Sequence, residues 1–106
     1  MKLEEVTNNL IKAVERYENV PLIDTTELSE ILRIIGVNLS YMVILRKHYY
    51  HEFQRIYFDS KYSTHAGKER EAMEKVPELD EIRKILRHFS LLQNDLRTQI
   101  SLHKND

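Results

Sequence analysis

Two histidines and a glutamate stand together in the middle of the chain, in His48-Tyr49-Tyr50-His51-Glu52. Residues three and four apart on a helix share a face, so these three side chains could reach one ion. A closed metal site takes about four ligands, and metalloproteases order theirs as His-Glu-x-x-His. Neither condition is met, so no metal is expected and the histidines read as a solvated or interfacial pair. The chain has no cysteine, which removes disulfides, thiolate metal sites and a cysteine nucleophile. No glycine-rich phosphate loop, nucleophile elbow or paired-carboxylate signature is present. The expectation is a non-enzymatic protein without a cofactor.

Recognition chemistry is concentrated in the aromatic run Tyr49, Tyr50, Phe53, Tyr57, Phe58 and Tyr62, interleaved with Arg46, Lys47, Arg55 and Lys61. Rings that stack on bases, beside cations that follow phosphates, bind single-stranded nucleic acid. Tyr and Arg are also the usual anchors of protein interfaces. Tyr49, Phe53 and Ile56 fall on an apolar seam and read as core. The candidate partner-binding set is therefore Arg46, Lys47, Tyr50, Arg55, Tyr57, Phe58, Lys61 and Tyr62. Another protein is the first reading of its partner and nucleic acid the alternative.

These residues must be held by something, and 106 residues suffice for one domain, 1–106. With 42 % apolar and 31 % charged residues and a net charge of -1, the chain is neither a disordered tail nor a strongly basic nucleic-acid module. Two glycines and two prolines are too few for an all-β fold. Leu3, Val6, Leu10, Val14 and Tyr17 recur at helical intervals and predict a first helix over residues 2–18. Pro21 breaks it, and Asp24 with Glu27 three residues on resembles a capping box.

Leu28, Leu32, Ile35, Leu39, Met42, Arg46, Tyr49, Phe53 and Ile56 then alternate by four and three, predicting a long helix over residues 25–61 or a break at Gly36. A turn is expected over residues 63–67. Pro77 fits the first turn of a last helix carrying Leu79, Ile82, Leu86, Phe89, Gln93, Leu96 and Ile100. The expected fold is all-α: an elongated antiparallel helical hairpin with a shorter N-terminal helix, three or more helices in all.

Ile31 to Leu45 is apolar at 11 of 15 positions, too short and too interrupted for a membrane span of about 20 residues. It reads as a buried helix, and the charged start Met1-Lys2-Leu3-Glu4-Glu5 lacks a signal-peptide core. The expected setting is the cytoplasm, away from membranes. Yet the apolar residues go round more of this helix than one face. The first and last helices can cover two flanks, and a third is left over. Large exposed apolar patches mark interfaces, and two-fold dimers are the commonest assembly. The expected homodimer interface comprises Ile31, Ile34, Gly36, Val37, Ser40, Tyr41, Ile44 and Leu45.

Charge is uneven along the chain. Residues 1–30 hold three basic and seven acidic residues, and residues 83–104 hold five basic and one acidic. The first reading is that these two helices lie side by side; the other is a basic face offered to an acidic partner. Arg46 and Gln93 each interrupt a seam, and an antiparallel hairpin would bring them into rough proximity as a register-fixing pair.

The aromatic helix Tyr49 to Tyr62, the charged stretch Lys68 to Lys75 and the closing run Leu91 to Ser101 together resemble small helical accessory proteins of tailed phages and mobile elements. The likeness covers about the last two thirds of the chain. That class has no common activity or site residues. The resemblance implies an accessory or inhibitor module acting by binding, on host-defence or nucleic-acid-processing machinery. A structural oligomerisation module is a third reading.

Overall fold

The fold is organised around one long helix. The computed structural model describes residues 2–21 and 23–104. Among them all regular structure is helical: α1 Leu3–Asn19, α2 Thr25–Asp59, α3 His65–Lys75 and α4 Pro77–Lys104. At 1.5 Å per residue α2 is about 52 Å long. The molecule measures 61 × 23 × 18 Å, with a radius of gyration of 17.9 Å, against about 13 Å for a compact chain of this size. The all-α hairpin with a shorter N-terminal helix is what the spacing predicts.

Asp24 starts α2 by accepting the Glu27 N–H at 3.1 Å. The Glu27 side chain does not return the bond; it pairs with Arg16 of α1. The capping box is thus half-formed, and its glutamate ties α1 to α2. No break occurs at Gly36. A mid-helix glycine costs about 0.5–1 kcal/mol, too little to interrupt a helix packed on both sides.

The expected turn at 63–67 lies three residues early, at 60–64. Thr64 caps α3 by accepting the Gly67 N–H at 3.1 Å, so His65, Ala66 and Gly67 are already helical. Gly67 is buried beneath Tyr62, and a Cβ there would stand 3.0 Å from the Tyr62 Cβ. Pro77 opens α4 as expected, its missing donor harmless in the first turn.

One cluster forms the main core: Leu28, Ile31, Ile35, Leu39 and Met42 of α2, Val6, Leu10 and Ala13 of α1, and Ile82, Phe89 and Leu96 of α4. Ala72, Val76 and Leu79 are buried where α3 meets α4. The Cα atoms of α1 come within 8 Å of α2 but not of α4. The first and last helices therefore flank α2 and face each other across a groove lined by Leu3, Glu4, Thr7, Asn8 and Glu81. The close packing of the acidic on the basic helix, in the first reading of the charge asymmetry, does not form. Buried Asn38 sets the α1 register. Its Oδ1 accepts from Asn9 at 3.1 Å and its Nδ2 donates to the Ile34 carbonyl at 2.8 Å.

Antiparallel packing of α4 on α2 places Gly36 opposite Gln93, whose Nε2 would lie 3.6 Å from an added Cβ. Arg46 shares a cleft with Arg83 instead. Arg46 and Gln93 are thus about 15 Å apart along the hairpin, ten residues at 1.5 Å each. The suggested register-fixing pair does not form.

Candidate functional site

Beside its core-facing seam α2 carries a second line of residues at the same alternating spacing. Glu27, Glu30 and Ile34 are half-buried, with Glu27 and Ile34 beside α1; Val37, Tyr41, Ile44, His48, His51 and Arg55 follow and are exposed. Its apolar middle is open. Val37 is 42 %, Tyr41 37 % and Ile44 65 % exposed. One end carries Asp24, Glu27 and Glu30 near the helix start, the two glutamates paired with Arg16 and Arg33. The other presents Lys47, His48, His51 and Arg55, with Glu52 the one acid among them. Arg33 donates to Glu30 through Nε at 3.1 Å and Nη2 at 2.6 Å. That hydrogen bond holds the Glu30 carboxyl below its usual range and raises the Arg33 guanidinium, so both are charged at neutral pH. Glu27 likewise raises Arg16.

The eight expected interface residues divide into three groups. Ile31 is fully buried inside the chain, and Ile34 and Leu45 pack against the core. Gly36 is turned to α4, where Gln93 Nε2 would lie at contact distance, 3.6 Å, from an added Cβ. Val37, Tyr41 and Ile44 face solvent, as does Ser40, whose hydroxyl donates to the Gly36 carbonyl at 3.1 Å. Exposed Val43 lies off this line, at 44 %. The spacing marks Ile34, Val37, Tyr41 and Ile44 as lying off the first seam, and does not separate them from Ile31, which the fold buries.

The partner-binding set does not form one surface. Arg46, Lys47 and Tyr50 line a cleft with Arg83 of α4, three cations around one ring. Tyr50 stacks on Phe53, with centroids 6.2 Å apart. Arg55 lies about 140° round the helix from Tyr50, at 100° per residue. Tyr57 and Tyr62 turn to α3. The Tyr57 hydroxyl bonds His65 Nδ1 at 2.6 Å with Lys68 over its ring, and Arg70 lies over Tyr62. Phe58 and Lys61 are exposed, Phe58 at 73 %. Tyr49 faces the start of α4. Burial first, then the carboxylates of Glu78, Glu52 and Glu81, pushes its phenol above the ordinary range.

His48, His51, Glu52 and Arg55 line a shallow groove. Among the described residues no group of three or more His, Asp or Glu is placed to hold a metal ion. By length and composition alone α2 could cross a membrane, and one third of its most apolar window is buried in the fold. Lys12 and Arg16 stand beside Ile34, and Arg83 beside Arg46, so flanking cations lie level with its apolar stretch. No family model, curated protein or solved structure matches this chain.

Proposed function

We propose that this is a non-enzymatic, cytoplasmic protein-binding module that works through the outer face of α2. The observation that carries the reading is the exposed line Val37, Tyr41 and Ile44, set on a helix packed by the three others, with arginine-paired glutamates at one end and Lys47, His48, His51 and Arg55 at the other. The backbone of a packed helix is already ordered, so contact costs no loop-ordering entropy. A membrane is the weaker reading of the same face, because cations beside an apolar helix are costly in lipid. Co-purification from the native source with wild-type and Ile44→Glu protein tests it. The partner, another protein or an untagged copy co-expressed with the tagged chain, accompanies the wild type and is lost from the variant; identical companions in both preparations, untagged copy included, would refute the reading.

The cleft of Arg46, Lys47, Tyr50 and Arg83 favours a second reading, single-stranded nucleic acid, in which a base stacks on Tyr50 and phosphates meet the cations. Gel shifts across a salt series decide this. Binding that weakens steeply with salt and is lost in Lys47→Glu/Arg83→Glu supports it, and absence of binding at about 50 mM salt removes it.

A further inference from the structure

We infer that the occupant of the outer α2 face is a second copy of the same helix, antiparallel, with the two-fold axis level with Leu39. This rests on reading that face as a recognition surface. The line Glu27, Glu30, Ile34, Val37, Tyr41, Ile44, His48 and His51 is its own complement when reversed about Leu39. Val37 then meets Tyr41 of the second copy, and Ile34 meets Ile44. Glu30 meets His48, and Glu27 meets His51. Every apolar member faces an apolar one, and every carboxylate faces an imidazole.

No other antiparallel step of the same seam does this. Sliding by one heptad toward the C-terminus sets Val37 against His48 and Ile34 against His51, leaving apolar surface on polar rings. A parallel pairing stacks Glu30 on Glu30 and Arg55 on Arg55. Burial of apolar area drives association, while charge selects register and orientation. Both favour the arrangement centred on Leu39.

The acids are able to take these partners. Glu30 already holds Arg33 and Glu27 holds Arg16. An ionised carboxylate offers about four acceptor sites, and an imidazole has an N–H to donate in either protonation state. Arg55 reaches toward Asp24 of the second copy at the end of the pairing. Glu52, 4.0 Å from Arg55 within its own helix, is the one acid at the basic end. The middle of the face is open to the approach, since Val37, Tyr41 and Ile44 are exposed, and α1 borders it at Ile34 and Glu27 through Lys12 and Arg16.

Sedimentation equilibrium on the full chain, with helix content followed by circular dichroism, tests the inference. The wild type shows a concentration-dependent monomer–dimer equilibrium, and Ile44→Glu raises the dissociation constant about a hundredfold. Glu30→Lys and His48→Glu each weaken the dimer about tenfold, and the double variant recovers most of the loss. Residues 30 and 48 are about 27 Å apart on one helix, so recovery can only come from contact between copies.

Absence of native cysteine makes cross-linking unambiguous. Val37→Cys and Tyr41→Cys chains cross-link when mixed. His51→Cys chains do not cross-link to each other, since an antiparallel pair holds them about 36 Å apart. A wild type that is monomeric up to millimolar concentration overturns the inference, as does a dimer indifferent to Ile44→Glu or a double variant no better than the singles. If the wild type is monomeric but Ile44→Glu still loses a different protein on co-purification, the recognition reading stands and the self-pairing falls.

Discussion

Replacing Ile44 by alanine separates what α2 does for its own chain from what it offers to others. Ile44 is 65 % exposed in the single chain, while Ile35, nine residues earlier on the same helix, is fully buried. Burying an isoleucine side chain completely is worth about 1.5–3 kcal/mol. The part of Ile44 still in water would therefore contribute about 1–2 kcal/mol when covered. A two-fold contact covers it twice, so Ile44→Ala weakens association by about 2–4 kcal/mol, roughly 30- to 1,000-fold in the dissociation constant. The dilute single chain loses no more than about 0.5 kcal/mol, as for other exposed positions. Ile35→Ala costs about 2–5 kcal/mol at every concentration. Urea unfolding at dilute and concentrated loading, beside sedimentation, reads all three quantities. If Ile44→Ala destabilises the dilute chain as much as Ile35→Ala, or leaves association untouched, the division of α2 into an inner and an outer face is wrong.

The two glycines should respond to alanine with opposite signs. At Gly67 the new methyl meets the Tyr62 Cβ at 3.0 Å and Thr64 Oγ1 at 3.1 Å, and Gly67→Ala costs about 1–3 kcal/mol. At Gly36 it meets only the Gln93 Nε2, at 3.6 Å, and Gly36→Ala gains about 0.5–1 kcal/mol; thermal melts showing the same sign for both would refute this. Asn38→Ala leaves Asn9 without its partner on α2 and costs about 1–3 kcal/mol, with amide exchange accelerating in α1 before α4. Equal acceleration in both helices would show that Asn38 does not hold α1 in particular. The Ser60 hydroxyl, then Lys75, holds the Glu71 carboxyl below its ordinary value of about 4.5. A carboxylate depressed by folding stabilises above the unfolded value and loses that stabilisation as pH falls through the folded one. Amide exchange in residues 60–64 should thus quicken below about pH 4.5 relative to its intrinsic rate, and the effect should flatten in Glu71→Gln.

Much of the fold is legible because helical signals are local. Asp24, Pro77 and the alternating intervals of three and four place both ends of α1 and α2, and the start of α4, within about two residues of those observed. The start of α3 is harder to read because Thr64 caps a helix whose first turn contains Gly67, and glycine near a threonine reads as a turn. Which side of α2 faces inward is harder still, since both of its seams are apolar between Ile31 and Leu45. Spacing defines both seams, and only the reach of the other helices chooses between them. The aromatic run misleads in another way. Neighbours in sequence are 100° apart on a helix, so Tyr50 joins Arg46 and Arg83 on one side while Arg55 joins the outer line.

The lengths of the helices explain why the outer line stays open. α2 runs about 52 Å, while α1 spans about 26 Å and α3 about 16 Å at the same rise. Both pack on α2, α1 beside its first half and α3 beside its second. α4 is occupied along α2 too, from Arg83 beside Arg46 to Gln93 beside Gly36. No described helix remains to lie over Val37, Tyr41 and Ile44. Those side chains lie outside the core cluster, yet they stand on the helix that packs against all three others. Their apolar surface therefore becomes stabilising only on contact with something outside the chain, and such contact can be strengthened or abolished at Ile44 without disturbing the fold that presents it.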